Sequence, residues 1–494
     1  MRHAGEKLPL RTISSAEWMD QPSRKTWTLL LAAAMLLLAS ELLYLSLLRL
    51  NAINGARPVL IFLATIGAAF ALCFAAYLLL QRRRWGAAEW ALIIGGAILF
   101  RITLLPAGLP PDLTLREKFA GMSADWRGES VTYERFQLFD DDIWRYLWDA
   151  HVASAGTNVY ASAPADSALD SLASAGPNAH PDWETIRANI NYADLRTIYP
   201  PLAQIVFRSA HWLAPGSVLA MKTIVVAFDL LAFGFLIMTL AALDQPPARS
   251  ILYGWNPLVI KVFAGSGHID AVLVAALAAT CYFLVQKRRT AASASLGLAI
   301  AAKIIPIVLL PFLLRRAGKW RTVLACMLAL VCWLPYFGAG THAFDSLLAF
   351  SKGWQFNGGV FRLLASMLAV FTSRPQLPSR IICGVAIALL LLVLYRRDDR
   401  DPATFADFTV VTLGSILILS PAVMPWYVTW LLPAGIIAWN RAAIFFSLAV
   451  CASFSVMVQG VEWPWALVLE YGALGGVICW ETLHNRFRLT GSER

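Results

Sequence analysis

The sequence predicts an all-α polytopic membrane protein of about 11–13 transmembrane helices with a large first extracytoplasmic loop. Hydrophobic residues make up 58% of the 494-residue chain and charged residues only 15%, against roughly 25% charged in soluble domains. Apolar runs at 26–48 and 58–80 are long enough to cross the hydrocarbon core, which takes roughly 20 residues. Charge is segregated. Residues 106–199 hold fourteen Asp or Glu and seven Lys or Arg, a net of −7, so the remainder carries +17 and the whole chain +10.

The positive charges sit in short connectors: Arg82-Arg83-Arg84, Lys287-Arg288-Arg289, Arg315-Arg316 with Lys319 and Arg321, and Arg396-Arg397. Short basic connectors mark the cytoplasmic side, which explains the net charge better than nucleic-acid binding, so no nucleic-acid partner is expected. Residues 1–25, with Arg2, Lys7, Arg11, Arg24 and Lys25, read as a cytoplasmic N-terminal segment. The apolar run after them is too long for a signal-peptide core and reads as a signal anchor.

N-terminal transmembrane helices within 26–105 run outward, inward and outward again, which places 106–199 outside. Within that loop, 110–136 reads as polar and irregular, and 158–174 as loop and turn. Residues 140–154 read as a helix, with Ile143, Leu147 and Ala150 at helical spacing. Trp144 and Trp148 share a stripe suited to lying on the bilayer. Central transmembrane helices follow over 200–337. They include a long span at 218–243, a short segment at 251–263 interrupted by Asn256-Pro257, and a return at 269–286. The short segment either crosses or lies at the outer surface; in both cases 265–270 faces outside.

Residues 291–314 begin and end beside basic clusters, so they enter and leave on the cytoplasmic side, with Lys303 at the far point and Pro306 breaking the helix. A run at 322–337 goes outward and 338–363 forms a second extracytoplasmic segment. C-terminal transmembrane helices occupy 364–483, with outer turns at 421–426 and 461–465, before a cytoplasmic tail at 484–494. No internal repeat of the inverted-transporter kind is visible. The seven cysteines all lie in apolar runs and read as small buried hydrophobes, with neither disulfides nor metal-ligand spacing expected.

The strongest chemical feature is the consecutive Asp140, Asp141 and Asp142 at a helix start beside the membrane. One acid there caps a helix and suits its dipole, but three adjacent like charges repel unless something uses them. Arg145, three and four residues beyond Asp142 and Asp141, shares their helical face and can orient a carboxylate or bind a phosphate. A carboxylate can take a proton from an attacking hydroxyl. Lys261, His268, Lys303 and Arg145 can surround a departing phosphate. Charge within a membrane segment is costly and functional by default. Lys261 can instead snorkel to the interface, whereas Lys303, between Ala301-Ala302 and Ile304-Ile305, has less room to do so. Lys222 and Asp229 read as polar contacts between helices, and His151 as a bystander. Trp354, Trp426, Trp463 and Trp465 read as interface anchors, with Trp354 beside Asn357 also a candidate wall for a sugar.

These residues stand in ordered blocks: DDIWRYLWD at 141–149, 156–160, TIYPPLAQ at 197–204, Trp255-Asn256-Pro257-Leu258, Gly267-His268-Ile269-Asp270, Lys303 with Pro306, WQFNG at 354–358, and Ser420-Pro421 with Pro425-Trp426-Tyr427. The pattern resembles the membrane-embedded GT-C glycosyltransferases that use polyprenyl-phosphate sugars, most of all the bacterial branch of glycosyltransferase family 87 and related mannosyltransferases. The resemblance implies a GT-C-like bundle in the cell (inner) membrane among membrane lipids. It implies a polyprenyl-phosphate-linked sugar donor, often of mannose, a lipid or glycan acceptor outside, no cofactor and no strict need for a metal. It further implies a base among Asp140, Asp141 and Asp142, and donor-phosphate contacts from Arg145, Lys303, His268 and Lys261. Tyr146, Tyr199, Asn256, Asp270, Trp354 and Asn357 line the implied substrate pocket.

The chain departs from that pattern at Ala150-His151, where Gly-Arg is usual, and at Asn158-Val159-Tyr160, where Asn-Pro-Tyr is usual. Residues 110–136 look inserted. These changes lie beside the acidic helix and bear on the acceptor more than on the donor. The rival class is a multi-pass transporter or lipid-linked glycan flippase, which accounts for the spans and buried charges but not for a 94-residue acidic loop.

Overall fold

The computed structural model describes residues 24–50, 55–81, 85–174, 182–458 and 460–490. Arg2, Lys7, Arg11 and the Arg82-Arg83-Arg84 connector lie outside the described residues, as do the side chains of Arg24, Lys25, Arg486 and Arg488. Among the described residues there is no β-strand; backbone bridges tie Phe356 and Asn357 to Ala422. Among the described residues, seven helices are long and apolar enough to cross a membrane: Trp27–Leu47, Ala56–Leu80, Ala87–Leu104, Val218–Ala242, Gln376–Arg397, Arg441–Val458 and Pro464–Leu483. Lys319–Val331 and Leu334–Gly353, bent by 81°, form either a broken eighth span or a re-entrant loop. Asp270–Val285, Gly359–Leu368 and Phe405–Leu419 are shorter apolar helices. The chain is an all-α polytopic membrane protein.

Polar groups hold these helices where the interior offers no water. Arg101 on Ala87–Leu104 is fully buried against Asp229 on Val218–Ala242 at 2.5 Å, and also donates to the Gly254 carbonyl at 2.8 Å. Tyr253 donates to the same Asp229 at 2.9 Å. Lys222, one face of the same helix, instead reaches the Ala107 carbonyl at 2.6 Å and Gln137 Oε1 at 3.1 Å. Asp229 thus joins helices as expected of an intramembrane polar residue, whereas Lys222 ties its helix to the loop at Ala107 and Gln137.

Small residues permit close approach where helices cross. An added Cβ at Gly297, on helix Arg289–Ala302, would lie 2.6 Å from the Ala325 carbonyl oxygen on Lys319–Val331. Gly297→Ala should therefore destabilise the protein by about 1–3 kcal/mol through overpacking against backbone, read as a lowered unfolding midpoint in detergent.

Three local expectations change. Residues 110–136 are not irregular: they contain helix Leu115–Trp126, whose Thr114 and Glu117 side chains form a capping box. That signature, Thr-x-x-Glu ahead of a helix, was legible in the sequence. Helix Ile143–Ser154 does not lie on the bilayer; Trp144 and Trp148 are buried inside the protein. Trp144 donates to the Arg135 carbonyl at 2.7 Å and Trp148 lies under Arg187, while another face of the helix packs on helix Pro201–Leu213, where Tyr146 stacks on Phe207 at 4.5 Å. Finally, 251–263 is neither one crossing helix nor a surface segment. It is a buried chain of short turns, Ile251–Gly254, Pro257–Ile260 and the π-turn Lys261–Gly265, broken where Pro257 cannot donate.

Candidate active site

The acidic trio precedes the helix rather than opening it. Helix Ile143–Ser154 begins after Asp142, and Leu138 and Phe139 just upstream adopt φ of 52° and 70°. Left-handed backbone at bulky residues costs about 1–3 kcal/mol each, so surrounding contacts must impose it. The Gln137 N–H donates to the Asp140 carbonyl at 2.6 Å, Ser266 Oγ donates to the Gln137 carbonyl at 2.9 Å, and Lys222 holds the Gln137 side chain. The result is a tight turn that sends Asp140 inward and leaves Asp141 and Asp142 sharing one amide.

Asp140 points inward. It is buried, ion-paired with Lys261, and 3.2 Å from His268 Nε2. Burial opposes its charge, but Lys261 and His268 outweigh that and hold it below the usual carboxylate range. Lys261 also sits over the Phe454 ring at 4.3 Å. Asp142 faces two ways, with one oxygen 3.6 Å from His268 Nδ1 and the other accepting from Asn191 Nδ2 at 2.9 Å. Asp141 accepts from the same Asn191 amide at 2.7 Å and lies 3.3 Å from Arg135. Burial and the charge of Asp142 push Asp141 up to about 6.

A continuous wall leads from this turn to Lys303. His268 stacks on Trp426 at 4.0 Å, Trp426 meets Tyr427 edge-on, and Tyr427 stacks on Trp430 at 4.5 Å. Lys303 lies over both Tyr427 and Trp430, at 4.4 and 4.6 Å, and pairs with Asp270 at 2.7 Å. The Trp430 indole N–H donates to the same Asp270 oxygen at 2.6 Å. Helix Arg289–Ala302 stops at Lys303, which is extended, and the chain resumes in the turn Ile305–Leu309 containing Pro306. Tyr146 meets Tyr199 edge-on at 4.9 Å.

Other residues grouped with these from the sequence are engaged elsewhere. Arg145 pairs with Asp149 at 2.9 Å and donates to the Leu195 carbonyl. The expected one-turn pairing with Asp141 and Asp142 does not arise: Asp149, one turn further along the helix, takes the guanidinium, and the two acids accept from Asn191 instead. Gln204 completes that cluster by donating to Asp149 at 3.0 Å. Asn256 caps Pro257–Ile260 and donates to Ser447, leaving its amide spent on structure. Asn357 donates to Glu470 at 2.9 Å, and its carbonyl accepts from Tyr471. Trp354 meets Tyr192 edge-on at 4.5 Å and stacks on Phe350, while Trp426 is a wall of the site rather than an interface anchor. His151 is no bystander: it stacks on Trp183 at 3.7 Å, with His211 adjacent.

Residues 135–318 match the family described as alpha-(1->6)-mannopyranosyltransferase, N-terminal domain, and residues 376–482 match the MptB C-terminal domain. The first match opens at Arg135 and runs past Lys303, so it contains the acidic turn, Lys261, His268 and Lys303, while Trp426, Tyr427 and Trp430 fall in the second. Together the two cover more than half of the chain.

The chain belongs to this GT-C-type mannosyltransferase family.

A relative, alpha-(1->6)-mannopyranosyltransferase A of Mycobacterium tuberculosis (strain ATCC 25618 / H37Rv), is 27% identical over 238 residues. The alignment covers 42% of this chain and 45% of that relative, so the matched stretch is less than half of either protein. No solved structure matches. Within the family frame, the residues that sequence reasoning missed are Arg135, Asn191, Tyr192 and Trp430. None belongs to a spaced motif, and Asn191 reaches its carboxylates across some fifty positions.

Proposed function

We propose that the protein transfers a hexose, namely mannose, from a polyprenyl-phosphate carrier to a lipid or glycan acceptor on the extracytoplasmic face of the cell membrane. Asp141 or Asp142 removes the proton from the acceptor hydroxyl as that oxygen attacks the anomeric carbon. The bond from that carbon to the phosphate oxygen breaks with inversion, and the polyprenyl phosphate departs with the electron pair. Lys303, 24% exposed at its side chain, is the accessible cation for that phosphate. Lys261 and His268 hold Asp140 and set the positive edge of the site. The observation that carries this reading is the unequal environment of adjacent carboxylates: Asp140 is committed to Lys261, whereas Asp141 and Asp142 share one amide and stay partly open.

Incubation of purified protein with labelled polyprenyl-phosphate mannose and total membrane lipid or glycan tests it. The expected result is one added sugar per acceptor. Movement of lipid or sugar across liposomes without transfer would point to the rival transporter class.

A pH dependence follows. Burial and Asp142 raise Asp141 to about 6, and a base acts only when ionised. If Asp141 is that base, kcat/KM climbs about tenfold per pH unit below 6 and levels off above it. Asp141→Asn should remove this limb from what activity remains.

A further inference from the structure

The two carboxylates have chemically different walls. On one side stand His268, Trp426 and, further on, Lys303, a cationic and aromatic surface suited to a phosphate. On the other stand the uncharged Asn191 and Tyr192, with the charge of Arg135 3.3 Å from Asp141. Asp142 touches both walls, one oxygen to His268 and one to Asn191. The mechanism leaves the second wall unused.

We propose that Tyr192 and Trp354 form the acceptor's sugar subsite, an aromatic platform for a neutral pyranose placed one residue from the amide that bridges Asp141 and Asp142. This rests on the transfer reading above. Tyr192 is 60% exposed although its ring meets Trp354 at 4.5 Å and 69°. It holds φ of 50°, a backbone state that a bulky side chain adopts only when neighbours impose it. That state places two adjacent residues on two tasks: the Asn191 amide is spent on both carboxylates, and the Tyr192 ring is turned to Trp354. Its neighbour Asn191 donates to Asp141 and Asp142 at 2.7 and 2.9 Å, which fixes the Tyr192 backbone one residue from both carboxylates. Trp354 is braced from behind by Phe350, stacked at 5.6 Å, and its carbonyl accepts from Arg380.

A pyranose presents one face of C–H bonds and a rim of hydroxyls. The C–H face matches the electron-rich faces of aromatic rings, and the rim can offer its hydroxyl to Asp141 or Asp142. The second outer segment is fastened to the first by Arg196 to Asp345 at 2.9 Å, Ser346 to the Arg196 carbonyl at 2.6 Å and Asn158 to the Tyr336 carbonyl at 3.1 Å. These clips fix Trp354 relative to Tyr192, although the two are far apart in sequence.

Saturation-transfer NMR with methyl mannobioside and its dodecyl counterpart tests the platform on full-length protein in detergent, alongside donor consumption. Ring C–H protons of both probes should respond with wild type and with Tyr192→Phe, which keeps the ring. Tyr192→Ala and Trp354→Ala, made in separate segments, should each weaken binding about tenfold or more and raise acceptor KM similarly, with donor KM unchanged. Binding of either probe that is untouched in both alanine variants overturns the platform and leaves the transfer reading standing. A wild-type protein that binds the saccharides but never consumes donor overturns transfer and leaves the saccharide subsite standing.

Discussion

Asparagine at both Asp141 and Asp142 is expected to lower transfer by three orders of magnitude or more, since a positioned base contributes about 10²–10⁴ and neither side chain can then substitute for the other. Both carboxylates accept from one Asn191 amide, at 2.7 and 2.9 Å, so removal of one leaves the second within reach of the same acceptor hydroxyl. Single variants should accordingly lose less than the pair. Folding should survive, because the substitutions remove repulsion between neighbouring like charges and leave the Lys261–Asp140 pair intact. Single-turnover rates with labelled donor, compared with expression level and unfolding midpoint, separate the chemical effect from a structural one. Transfer retained by the double variant would remove both residues from the mechanism.

Membrane class and family were legible because the first rests on composition and the second on ordered local blocks. Long apolar runs force helices wherever lipid leaves backbone groups no other partner. Three consecutive aspartates stand out by repulsion alone. What stayed hidden depends on contacts far apart in the chain. Arg145 looked like a partner for Asp141 and Asp142, but Asp149 one turn along its own helix holds it at 2.9 Å, and the two acids turn to Asn191, some fifty positions away. Trp426 looked like an interface anchor until His268, far from it in sequence, was found stacked on it. Asn191 and Tyr192 carry no motif, and their roles arise from a loop folded back on the acidic turn. The Asn256-Pro257 break was visible, but a cap and a breaker read the same whether the segment crosses, lies flat or is buried in the protein.

Lys261→Met is expected to cost about 3–5 kcal/mol, the penalty for leaving one charge of a buried pair uncompensated. Asp140 would keep only His268 at 3.2 Å, inside a turn that already carries strained backbone. The paired variant Asp140→Asn with Lys261→Met removes both charges and should recover most of that loss, because a buried ion pair stabilises little relative to neutral groups of similar size. Unfolding in detergent measures both quantities, and the coupling between the two substitutions gives the pair its own energy. The same proteins decide what Asp140 does. If it is a positioning residue that fixes the turn, the paired variant keeps transfer within about tenfold while Lys261→Met alone is poorly folded. If Asp140 were the base, the paired variant would be as inert as the one lacking Asp141 and Asp142, despite restored stability. The carboxylate that folding consumes and the carboxylates left for chemistry are adjacent in sequence, and only the direction in which the strained turn sends each one distinguishes them.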